Sequence, residues 1–116
     1  MTAPTNILIV EDEPLIAMML EDVLDVLGKT LAGTADTVAD ALVLIEAGGI
    51  DAAILDVNLR GGEKSWPIAE ALAARGVPFV FATGGSEDSI AENYRGRPTL
   101  AKPFTMDAVA KVLDGL

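Results

Sequence analysis

An α/β fold, with a five-stranded parallel sheet covered by helices on both faces, is what this sequence predicts. Three observations carry that prediction. Short apolar runs alternate with segments of helical periodicity five times along the chain. The runs read as continuous rather than alternating, as strands buried on both faces require. Hydrophobic residues make up 51% of the chain and aromatic residues only 4%, so the core is one of small aliphatic side chains, which suits a sheet between two helical layers.

Each element follows from local residue chemistry. Ile7 to Val10 reads as a buried strand. Pro14 fits the first turn of a helix, because the N–H it lacks has no partner there. Leu15, Ile16, Met19, Leu20, Val23, Leu24 and Leu27 recur at helical spacing, and Gly28 is the expected stop. Thr30 to Ala35 is a weaker strand. Thr37-Val38-Ala39-Asp40 resembles a capping box, and its helix is expected to run to Gly48-Gly49. Asp51 to Leu55 is the third strand, followed by a polar, glycine-containing loop from Asn58 to Ser65. Ser65 is the expected cap of a helix that starts near Trp66-Pro67 and ends at Gly76. Val77 to Ala82 is the fourth strand. Thr83-Gly84-Gly85-Ser86 leads into a short polar helix around Glu87 to Tyr94, and Arg95 to Pro98 forms a turn. Thr99 to Ala101 is a short fifth strand, and Thr105 caps a last helix through Leu113.

Right-handed crossovers with short connections favour a doubly wound, flavodoxin-like strand order, 2-1-3-4-5. The 116 residues suffice for one domain with a real core, expected to span 1–116 with no output domain. Ligands in such sheets bind beyond the carboxyl ends of the strands, where the strand order reverses.

Composition excludes several function classes. The formal net charge of −10 leaves no basic patch to neutralise phosphates, so neither nucleic acid nor an anionic membrane is an expected partner. With no cysteine, thiol catalysis, disulfides and thiolate metal sites are ruled out. With no histidine, imidazole bases, the usual zinc sites and a phosphohistidine carrier role go too. The N-terminus does not read as a signal peptide and no apolar run reaches membrane-spanning length, so the expected compartment is the cytoplasm.

The chemistry lies at the strand ends. Glu11-Asp12 ends the first run, Asp56 the third and Thr83-Gly84 the fourth, while the fifth leads into Lys102-Pro103-Phe104. In a parallel sheet these groups share one edge. Magnesium prefers hard oxygen ligands and keeps several waters. Asp12 and Asp56 are candidate direct ligands, Glu11 a ligand through water, and the main-chain carbonyl of Asn58 a further oxygen. A bound cation relieves the mutual repulsion of three carboxylates. Asp56 is the candidate nucleophile, whose attack on phosphorus gives an acyl phosphate. The Lys102 ammonium, the Thr83 hydroxyl and N–H groups near Gly84 can neutralise the transferring oxygens. Each feature alone has a plainer reading as a turn or a helix entry. Their joint placement at one sheet edge carries the inference, because independent caps need not supply the right chemical type each time.

With those residues in place, the sequence resembles the receiver domain of bacterial two-component response regulators over nearly its whole length. Glu11-Asp12, Asp56, Thr83 and Lys102-Pro103-Phe104 match in family order. The resemblance implies that Asp56 accepts a phosphoryl group from a sensor histidine kinase or a phosphotransfer protein. It implies magnesium on Glu11 and Asp12, and phosphoryl contacts from Thr83 and Lys102. The activity implied is Mg2+-dependent self-phosphorylation and dephosphorylation, with output through binding of a downstream protein or phosphorelay. Phe81-Ala82-Thr83-Gly84-Gly85 looks like the receiver subgroup with a Phe-Ala-Thr-Gly signature, often stand-alone domains in alphaproteobacteria; Asp56-Val57-Asn58-Leu59 and Ser65-Trp66-Pro67 look like it too.

Two departures from the family pattern stand out. Arg60 occupies the place of a usual proline four residues after the acceptor, and Glu63-Lys64 that of a usual Asp-Gly, so the loop after Asp56 is expected to be built differently. Thr99 replaces the usual fifth-strand aromatic, so switching is expected to pass from Thr83 into Gly84 to Tyr94 instead. The runner-up reading is a degenerate receiver acting as an unphosphorylated interaction module; the intact acidic set argues against it. A phosphatase of the haloacid dehalogenase type would want a second aspartate where Asn58 stands.

Overall fold

The computed structural model describes residues 5–83, 99–101 and 104–116, with the backbone alone for Arg60. In chain order the elements are β1 (Asn6–Val10), α1 (Pro14–Val26), β2 (Thr30–Ala35), α2 (Val38–Ala47) and β3 (Ala52–Asp56). A single 3-10 turn at Arg60–Gly62 follows, then α3 (Trp66–Ala74), β4 (Phe79–Thr83), β5 (Thr99–Ala101) and α4 (Met106–Asp114). The expected helix at Glu87 to Tyr94, the turn after it and the expected switch from Gly84 lie outside the described residues, as does Lys102.

All four strand pairings are parallel and give one five-stranded sheet in the order β2-β1-β3-β4-β5. Alternate residues of each strand enter opposite cores. Leu8, Val10, Leu55, Phe79 and Phe81 pack with Ala41, Ile45, Ile68 and Leu72 from α2 and α3. Ile7, Ile9, Ile54, Val80 and Leu100 pack with Leu20, Leu24, Val109 and Leu113 from α1 and α4. Burial on both faces explains why the central strands read as unbroken apolar runs. Among the described residues no helix is long and apolar enough to cross a membrane.

Local chemistry sets the helix ends. Thr37 Oγ1 accepts from Asp40 N–H at 3.1 Å, and Thr105 Oγ1 from Ala108 N–H at 3.1 Å, as expected of both threonines. Pro14 is the first residue of α1. At its other end Lys29 N–H donates to Leu24 O and Gly28 N–H to Asp25 O, with Gly28 at φ +76°. This closure needs the left-handed conformation that glycine adopts without strain. The bulge in β2 opposite Ile7 and Leu8 brings Gly33 under Leu44, where a Cβ would lie 2.9 Å from Leu44 Cδ1.

Three local expectations need correction. Ser65 precedes α3, but its side chain makes no capping bond; its hydroxyl is buried with no hydrogen-bond partner among the described residues, and the main-chain carbonyl receives the first helical N–H groups instead. Asp51 lies outside β3, because its carboxylate turns back to accept from Asn6 N–H at 3.0 Å and the Thr5 hydroxyl at 3.0 Å. Val77 and Pro78 precede β4 rather than belonging to it: Pro78 has no N–H to donate, although its carbonyl accepts from Ala53. The loop after Asp56 is ordered by a 3-10 turn and an antiparallel bridge between Asn58 and Lys64.

Candidate functional site

Strand register brings the acidic residues level. Val10 pairs with Leu55 across β1 and β3, so Glu11 leaves β1 where Asp56 ends β3. Asp56 pairs with Ala82 across β3 and β4, and Thr83 pairs with Ala101 across β4 and β5. The predicted groups at the ends of β1, β3 and β4 thus share the carboxyl edge of the sheet.

Three carboxylates converge there. One oxygen each from Glu11, Asp12 and Asp56 lies within 4.8 Å of the other two. Glu11 is 3% exposed and Asp56 7%, while Asp12 is half-buried. The backbone holds them: Glu11 N–H donates to Ala35 O at 2.9 Å, and Glu11 Oε2 accepts from Glu13 N–H at 3.2 Å. At an effective dielectric of about 20, two unit charges this close repel by roughly 3 kcal/mol. Hard oxygen donors, mutual repulsion and partial burial together fit a small divalent cation such as Mg2+. The three acidic residues named from the sequence are thus brought together.

Asn58 is half-buried and sits on the ordered loop. Thr83 ends β4 half-buried. Lys102 follows Ala101 in the chain but lies outside the described residues. Sequence reasoning missed three neighbours. Thr34 near the end of β2 and Asp36 just past it line a cleft of about 290 Å³ with Glu11, Asp12 and Pro14. Glu63, treated above only as a departure from a pattern, sends its carboxylate to the first N–H of α2, Val38, at 2.9 Å. Reading the loop for helix-capping acceptors as well as for ligands would have raised Glu63.

The chain is 74% identical to SdrG from Sphingomonas melonis Fr1, whose solution structure matches with a TM-score of 0.88 over 97% of this chain and 96% of that one. The BeF3-activated conformation of SdrG matches with a TM-score of 0.83 over the same shares, at 74% identity. The phyllosphere-induced regulator PhyR of Methylorubrum extorquens AM1 is 34% identical over 94% of this chain. The chain spans only 42% of that relative's length. The family model of the response regulator receiver domain matches residues 7–114, and to that family the chain belongs.

Proposed function

We propose that this chain is a phosphoryl-accepting receiver, with Asp56 as the acceptor and Glu11, Asp12, Asp56 and the Asn58 main-chain carbonyl as the Mg2+ ligands. The observation that carries this reading is the convergence of Glu11, Asp12 and Asp56 within 4.8 Å at the ends of β1 and β3. A caps-only account of these residues gives no reason for two of three carboxylates to be buried together.

In the reaction one Asp56 Oδ attacks phosphorus as the bond to the donor's nitrogen or oxygen breaks, and the leaving group takes up a proton. The product is an acyl phosphate. When bound, Mg2+ neutralises charge on the transferring oxygens and on the carboxylate trio. Asp56, held at the β3 end by its pairing with Ala82, presents the nucleophile at a fixed position. Thr83, one residue beyond Ala82, is a hydroxyl donor to a phosphoryl oxygen. Lys102 is the cationic partner of a second oxygen.

The donor is a sensor histidine kinase or a phosphotransfer protein, and output passes through contact with a downstream protein. A relative 74% identical that has a BeF3-activated conformation supports a chain that switches. The sequence from Phe81 to Gly85 supports assigning this receiver to the Phe-Ala-Thr-Gly subgroup.

Incubation with acetyl phosphate and Mg2+, followed by intact-mass and peptide mass spectrometry, tests the reading. The parent chain gains one phosphoryl group on the peptide that holds Asp56. Asp56→Asn gains none and stays folded, since the change removes the nucleophile but almost no volume. Equal labelling of Asp56→Asn would overturn the acceptor assignment.

A further inference from the structure

The loop after Asp56 is a small clasp. Ser65 N–H donates to Val57 O at 3.1 Å and Leu59 N–H to Glu63 O at 2.6 Å. These two bonds flank Asn58 and Lys64, which face each other as an antiparallel pair. Such flanked pairs bring their side chains close, and Lys64 Nζ donates to Asn58 Oδ1. Gly61 and Gly62, at φ +74° and +79°, reverse the chain between the two arms.

At its outer arm a side-chain bond ties this clasp to α2. Glu63 Oε1 accepts from Val38 N–H, the first residue of α2, across 25 positions of sequence. A carboxylate at a helix N-terminus is favoured both by the unpaired N–H and by the helix dipole. Thr37 serves the third N–H of the same helix, so α2 has one local cap and one supplied by the loop.

We propose that Glu63 is a positioning residue for the Mg2+ and phosphoryl site: by anchoring the clasp to α2 it fixes Asn58 beside Asp56. The inference rests on the proposed function, because it assigns the Asn58 carbonyl to the metal. Glu63 does not touch the metal. It acts through the backbone bond between its own carbonyl and Leu59 N–H, next to Asn58. Leu59 packs into the core at the near end of this arm, and the Glu63 bond adds the hold on its outer end.

Calorimetric Mg2+ titration of the full chain and amide hydrogen exchange of the metal-free protein test this together. Loss of one charge-assisted bond in Glu63→Ala raises the Mg2+ Kd by about threefold to tenfold. It speeds exchange at Leu59 and Ser65 by a similar factor. Glu63→Gln keeps a side-chain oxygen for Val38 N–H and returns both readings to within about twofold of the parent. Thr37→Ala removes the other α2 cap; it lowers Tm and leaves Mg2+ binding and loop exchange unchanged. An unchanged Kd in Glu63→Ala, or an equal loss in Thr37→Ala, overturns the positioning role while leaving the proposed function intact. A parent chain that binds no Mg2+ overturns both, and that result is distinct.

Discussion

A buried carboxylate persists only when something offsets its lost hydration. Glu11, 3% exposed, accepts from the Glu13 N–H, and it lies with Asp56, 7% exposed, in an acidic trio that a cation could neutralise. Chemical type at strand ends made them legible in the sequence, because turns need no particular set of three acids. Ser65 is the counterexample at the same scale. A serine before a helix ordinarily reads as a cap, yet packing under α3 leaves its hydroxyl buried with no hydrogen-bond partner among the described residues. Nothing in local sequence distinguishes a capping serine from an entombed one, since the difference is set by the backbone angles that precede the helix. Ser65→Ala should therefore stabilise the fold by up to about 1 kcal/mol, as removing an unsatisfied buried hydroxyl does. Urea denaturation measures it. A loss of more than about 1 kcal/mol would show that the hydroxyl is bonded in solution.

The elements show where periodicity suffices and where it does not. Strands between two helical layers have no polar face, so their apolar runs announce them. Helix ends are announced by Gly28 and Gly76, both at positive φ, and by Thr37 and Thr105. Errors fall where an element's neighbour decides its limit. Asp51 looked like the first residue of β3, but it clasps the start of β1 through Thr5 and Asn6, and Asn6 Nδ2 donates onward to Gly49 O. Foremost the Asn6 N–H, with the Thr5 hydroxyl, holds the Asp51 carboxyl below its ordinary value of 3.8. A carboxyl lowered in the folded state stabilises fully above its unfolded value and loses that contribution as pH falls through the folded one. Asp51→Ala should thus unfold at lower urea than the parent at neutral pH, with the gap closing as pH falls below 3.8. A gap that persists unchanged into that acid range would assign the loss to packing rather than to the charged clasp.

At the scale of the whole molecule, fold and site are one consequence of the parallel sheet. Strand order places the reversal between β1 and β3, and that reversal gathers Glu11, Asp12 and Asp56. The strand order was readable because short crossovers leave few alternatives, whereas the Glu63 anchor, a contact across 25 residues, has no periodic signature. Electrostatics on this scale has two parts. A net charge of −10 repels over the whole surface, and any salt screens it, with a Debye length of about 10 Å at 0.1 M. The trio within 4.8 Å lies well inside that length, so bulk salt relieves it little and a bound cation relieves it directly. Mg2+ should therefore raise Tm beyond what NaCl achieves at equal ionic strength. At a tenfold excess over Kd the linkage is about 1.4 kcal/mol, or roughly 5 °C for a domain of this size. Asp12→Ala should lose most of that specific increment, while Asp22→Ala, an exposed acid on α1 outside the trio, should keep it. Scanning calorimetry of the three proteins decides between a site and an ion atmosphere. Equal Mg2+ responses in Asp12→Ala and the parent would put the cation elsewhere on this acidic surface.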